Sequence, residues 1–122
     1  MAKDAQRDAE YTAIVAEADR RGVEEVHANP QFGFPAGFVA IHITPGTTSF
    51  ARWLLRTENG EPAGRPNGGG VFIWVRLKTS DFPEWPLNSL SHPLAAQLIY
   101  ASAYIQTLAE HDIPALVWSH VD

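Results

Sequence analysis

Val71-Phe72-Ile73-Trp74-Val75-Arg76-Leu77-Lys78 is the stretch on which the fold turns. Its odd positions are all aliphatic and its even positions run Phe, Trp, Arg, Lys. A period of two with unlike sides belongs to a strand that separates two environments. Gly68-Gly69-Gly70 bounds it upstream. Working outward, residues 38–44 are a second run rich in β-branched side chains, ended by Pro45-Gly46, and residues 115–120 are a third. Between the strand at 71–78 and the last one, Leu94, Leu98, Ala101, Ile105 and Leu108 recur at helical spacing. Ser91 is placed to cap that helix, Pro93 is tolerated in its first turn, and it runs to about His111.

Upstream, Tyr11, Ile14, Val15 and Ala18 mark an amino-terminal helix over residues 3–21, with Gly22 placed to end it. Residues 29–37 form a Pro- and Gly-rich loop whose Phe32 and Phe34 pack down. Thr47, Thr48 or Ser49 caps a short helix over 50–56, and residues 57–70 read as a flexible loop. Residues 80–90 hold separated prolines and Trp85, an irregular but partly packed connection. The elements predict a single domain over 1–122 of α+β, or small α/β, class. Its β-α-β-α-β core spans 38–122, with a three-stranded mixed sheet, the long helix on one face and the amino-terminal helix beside it. The segment from 71 to 120 is long enough for a right-handed parallel crossover.

The alternation assigns two sheet faces. Val39, Ile41 and Ile43, then Val71, Ile73, Val75 and Leu77, then Ala115, Val117 and Val121 should meet the long helix. The other face gathers Phe38, Ala40 and His42, Phe72, Trp74, Arg76 and Lys78, and Leu116, Trp118, His120 and Asp122. Aromatic and basic groups thus share a surface. Three covers suit it: the amino-terminal helix with the Phe32/Phe34 loop, a second copy of the chain, or a ligand. The long helix carries no charged residue from Pro93 to Ala109. Its second side presents Ile99, Tyr100, Ala103 and Tyr104, expected to be a homodimer interface unless the first helix covers them.

The 122 residues carry a formal charge of −5 and no cysteine, which excludes disulfides and thiol nucleophiles. The positive charge is concentrated at 52–78, in Arg52, Arg56, Arg65, Arg76 and Lys78. The acidic total argues against broad nucleic-acid binding and leaves room for a local anion site. Thr47, Thr48 and Ser49 ahead of Arg52 and Arg56 can hold a phosphate or carboxylate; a plain capped helix is the simpler alternative. His42, His120 and Asp122 share a face, yet no metal and no cofactor is expected. Ser119 and His120 are neighbours on a strand and point to opposite faces, so they make no nucleophile pair. Gly68-Gly69-Gly70 precedes a strand rather than a helix and is no phosphate loop. Trp85 can anchor a partner or pack its own loop, and His27 and His111 suit helix ends. The charged amino terminus has no apolar core and no segment is long enough to span a membrane, so a cytoplasmic protein is the expectation.

Ile43-Thr44-Pro45-Gly46-Thr47-Thr48-Ser49-Phe50-Ala51-Arg52-Trp53-Leu54, followed by Gly69-Gly70-Val71-Phe72-Ile73-Trp74-Val75, resembles small uncharacterised phage and actinobacterial-type proteins. In that group a PGxSxFARWL-like run precedes a GGVxIWV-like strand. The resemblance implies a phage or mobile-element origin and no known activity. The leading expectation is a self-associating binding protein, not an enzyme, with a protein partner. The alternatives are a nucleotide or single-stranded nucleic-acid binder using Trp74, Trp118, Phe72, Arg52 and Arg76, and a small enzyme built on His42, His120 and Arg52.

Overall fold

The computed structural model describes residues 2–29, 36–83 and 93–121. Helix α1 (Ala2–Ala28) is followed by β1 (Gly37–Ile43), α2 (Ser49–Arg56), β2 (Glu61–Pro62), β3 (Val71–Trp74), α3 (Leu94–Ala109) and β4 (Leu116–Val121). The sheet has four strands in the order β2-β3-β1-β4, and every neighbouring pair is antiparallel. The α+β class therefore holds, with one strand more than expected and no adjacent parallel pair. Both β3 and β4 run antiparallel to β1, so they are parallel to each other with β1 between them. The connection through α3 is a crossover that skips one strand. β1 takes the middle because it is apolar on both faces: Val39, Ala40, Ile41 and Ile43 are all buried, and His42 nearly so. Only a central strand satisfies both backbone edges while burying both sides.

All three helices belong to one core. Val39, Ile41, Ile43, Val71 and Val75 of the sheet pack with Phe50, Trp53 and Leu54 of α2 and with the apolar sides of α1 and α3. The amino-terminal helix therefore lies on the helical side and does not cover the aromatic face. It also runs straight past Gly22, where the sequence places its end. Gly22 is there for close approach: a Cβ at this position would lie 2.5 Å from the Tyr100 ring of α3. Small Ala18 and Gly22 let α1 sit down on Tyr100 and Tyr104, and that packing outweighs the roughly 1 kcal/mol a helical glycine costs.

The uncharged character of α3 follows from burial on two sides, against the sheet and against α1. Its polar groups are bonded internally: Gln97 donates through Nε2 to the Gly37 carbonyl at 2.8 Å, and Thr107 donates through Oγ1 to the Ala103 carbonyl at 3.0 Å. Of the expected stripe, Leu94, Ala101 and Leu108 are buried and Leu98 and Ile105 are half-buried. Asp112, in the left-handed region at φ 59°, terminates the helix. Within the expected loop 57–70 lie the short β2 and a 3-10 turn over Arg65–Asn67. The Phe32/Phe34 loop, Trp85, Ser91 and Asp122 fall outside the described residues.

Candidate functional site

The outer sheet face is the one the alternation assigns. His42 pairs across the sheet with Phe72 and Leu116, Ala40 with Trp74 and Trp118, and Phe38 with His120. Ala40 is small and lies between two tryptophans, whose rings close over it at 5.5 Å in a T-shaped pair. Phe72 contacts both, edge-on to Trp74 and tilted against Trp118. One end of the face is covered by the segment from Glu61 to Gly70. Ala63 packs on Ala40 and Phe72, and His42 Nε2–H donates to the Gly69 carbonyl at 2.6 Å. At the other end Trp74 and Trp118 are half-buried, Phe38 is 39% exposed and His120 is exposed. Arg76 lies beyond the end of β3 and, with Phe38, Glu61, Trp74 and Val75, lines a shallow cleft of about 460 Å³. Lys78 lies further along, past the sheet.

Beside this end runs β4, which among the described residues has no strand on its outer side. Val117, expected to be a core residue, is 42% exposed, Val121 is 59% exposed and Leu116 is 64% exposed. The reason is position: among the described residues β4 pairs only with β1, so the helices that cover β1 reach just part of it. The opposite edge is β2, two residues long, carrying Glu61 and Pro62.

The other sequence-assigned residues scatter. Thr48 is the N-cap of α2, its Oγ1 accepting the Ala51 N–H at 3.2 Å, while Thr47 is exposed. Ser49 faces α1, where its Oγ accepts from Tyr11 at 3.0 Å and from Arg7 at 3.3 Å. Arg56 is taken by Asp8 in a two-pronged ion pair at 2.9 and 3.1 Å, which holds the Asp8 carboxyl below the usual carboxylate range. Arg52 lies beside it on the helical side of the molecule. The enzyme grouping of His42, His120 and Arg52 is therefore not brought together. The two imidazoles are four residues apart along paired strands, roughly 14 Å, and Arg52 is on the other side of the sheet. Among the described residues no group of three or more potential ligands could hold a metal ion.

Tyr100 and Tyr104, expected at a homodimer interface, lie inside the chain under α1. Tyr104 is 2% exposed, and the Tyr100 hydroxyl donates to Asp19 at 2.5 Å. Charged substitutions there break the core and say nothing about assembly. Ile99 and Ala103 remain half-buried on the outer side of α3, beside Leu98 and Ser102. Burial pushes both phenols well above the usual tyrosine value, with Asp19 adding to the effect. Above pH 10 the unfolded chain releases phenol protons that the folded chain keeps. The folded state then binds more protons, and stability falls as pH rises, by up to about 1.4 kcal/mol per pH unit for each tyrosine. Urea midpoints measured from pH 8 to 12 should therefore be level at first and fall beyond pH 10. The fall should be about half as steep in Tyr104→Phe, where only Tyr100 remains. Parallel falls in the two proteins would contradict this assignment.

Fold and site together define a small α+β domain with its helices on one face of a sheet, an aromatic outer face, and an uncharged strand, β4, at one edge among the described residues. No family model, curated protein or solved structure matches the chain. Among the described residues no helix is long and apolar enough to cross a membrane.

Proposed function

We propose that this protein is a non-catalytic interaction domain that self-associates by pairing β4 of one copy with β4 of a second. The observation that carries the reading is the contrast between the two sheet edges. Natural sheets blunt an edge by keeping it short, by charge, or by proline. The β2 edge has all three devices, in two residues. Among the described residues the β4 edge has none: the strand is six residues long, and its sequence, LVWSHV, holds no proline and no Asp, Glu, Lys or Arg. Two copies each bearing −5 are least repelled where they meet through an uncharged surface. Antiparallel pairing of identical edges is also isologous, so it closes at two copies.

The energetics suit a reversible dimer. Leu116, Val117 and Val121 from each copy give six side chains, on both faces of the joined sheet, each contributing roughly 0.2–1 kcal/mol through cross-strand pairing. Added strand hydrogen bonds contribute roughly 0.5–1.5 kcal/mol each. Association costs on the order of 4–15 kcal/mol, which leaves a dimer that dilution dissociates. A small self-associating domain also suits an accessory factor of a phage or mobile element, the setting its sequence resemblance implies.

Light scattering after size exclusion tests this. The wild-type mass should rise with concentration from 13.4 kDa towards twice that value, while Val117→Lys stays at 13.4 kDa with unchanged circular dichroism. A wild type that stays at the monomer mass, or a Val117→Lys variant that still doubles, overturns the reading. The nucleotide alternative has less support. The Trp74 and Trp118 rings meet edge to face at 88° and Trp118 already stacks on His120, so these rings are engaged with one another.

A further inference from the structure

We propose that the helical side of the molecule holds a binding site for a small carboxylic acid with an apolar tail. The site lies across Tyr11 and Ser49, between α1, α2 and the turn leading into β4. Two clefts meet at these residues, which line both. They differ sharply in chemistry.

The first, of about 580 Å³, is polar and gathers Arg7, Arg52 and Arg56 against Asp4 and Asp8. Asp8 is committed to Arg56. Arg7 and Arg52 have no carboxylate partner among the described residues. Arg7 donates only to Ser49 Oγ, and the Tyr11 hydroxyl donates to the same oxygen. Ser49 thus has its acceptor side filled and its own O–H left to give. A net positive cleft with a hydroxyl donor, in a chain of charge −5, is set against the mean field of the molecule. Two guanidinium groups and a hydroxyl are the donors that a carboxylate takes.

The second cleft, of about 450 Å³, is walled by Ile14, Ile43, Pro45, Phe50, Ile113 and Pro114. Its volume and lining are those of a small-molecule pocket. Glu10, Asp112 and His111 also border it, and the two carboxylates outweigh the single imidazole in repelling an anionic head from that side. The charge pattern therefore fixes the orientation: head towards Arg7 and Arg52, tail over the Tyr11–Ser49 bridge into the apolar cleft. This site lies across the molecule from the outer sheet face and does not depend on self-association through β4.

Calorimetric titration at pH 7 with sodium butanoate, hexanoate and octanoate tests the assignment, with acetate and 1-octanol as controls. Affinity should rise about three- to fourfold per methylene as the tail enters the apolar cleft. Octanoate should bind at least about tenfold tighter than octanol, and exposed Arg52→Ala should lose about tenfold towards octanoate alone. The Val117→Lys variant should bind octanoate like the wild type, which separates this site from the proposed assembly. A flat chain-length series, equal binding of octanol and octanoate, or an unchanged Arg52→Ala affinity overturns the proposal.

Discussion

Replacing Gly70 with alanine is expected to lower the unfolding free energy by about 2–5 kcal/mol, a large share of a small domain's total. Gly70 sits at φ 80°, in the left-handed region, where an L side chain is strained by about 1–2 kcal/mol. Space is the larger obstacle. A Cβ there would lie 2.4 Å from the Ile43 carbonyl oxygen and 2.7 Å from Thr44 Cγ2. Neither neighbour is the free end of a flexible side chain, so β1 and the start of β3 would have to part. Relief of that kind costs roughly 1–3 kcal/mol in a packed interior. The same movement would pull on the Gly70 carbonyl that accepts from Ala63 N–H, and on the Gly69 carbonyl that His42 holds. Urea unfolding followed by tryptophan emission measures the loss. A midpoint equal to that of the wild type would show that the segment from 61 to 70 is not tied to the sheet in the way described.

Trp53→Ala is expected to cost about 3–5 kcal/mol. Trp53 is buried at the join of α1 and α2, stacked on Phe50 at 5.8 Å and tilted against Tyr11 at 5.5 Å, with Tyr11 edge-on to Phe50 at 5.1 Å. The three rings seat the amino-terminal half of α1. The Asp8–Arg56 ion pair joins the same two helices but lies at the surface, where screening and side-chain entropy leave such pairs little net effect. Arg56→Ala should accordingly leave the urea midpoint near that of the wild type. Hydrogen exchange should accelerate over residues 4–15 in Trp53→Ala and stay unchanged in Arg56→Ala. Equal effects from the two substitutions would mean that the ion pair, not the aromatic cluster, holds the helix.

Much of the fold is legible in the chain because its strongest signals are local. The alternation at 71–74 and at 38–43 assigns both sheet faces correctly, since side chains on a strand change sides whatever the strand pairs with, while residues 75–78 of the expected strand lie past its end. Thr48 is among the three residues the sequence offers as a cap for α2, because a hydroxyl ahead of an apolar helical turn answers a backbone need within four residues. The misreadings have a common origin. Gly22 looks like a helix end until Tyr100 stands over it, 78 positions along the chain. Tyr100 and Tyr104 look like an interface until α1 lies across them. Val117 looks like a core residue until β4 takes the edge.

The candidate sites follow the same division. Trp74, Trp118, Phe38 and His120 share a surface by alternation alone, so the sequence shows that surface. The pairing of Ser49 with Tyr11 and Arg7, 38 and 42 residues apart, leaves no mark in either segment. By itself the sequence determined the three helices and the three longer strands, the two sheet faces, the acidic and cysteine-free character, and the uncharged long helix, but not β2. Only the tertiary structure decided the strand order, the side of the sheet on which α1 lies, the edge position of β4, and the cleft between α1 and α2. The physical reason is range. Periodicity and capping act within a few residues, whereas edges, covers and clefts are set by which distant apolar surfaces bury one another, and many pairings satisfy the same local pattern.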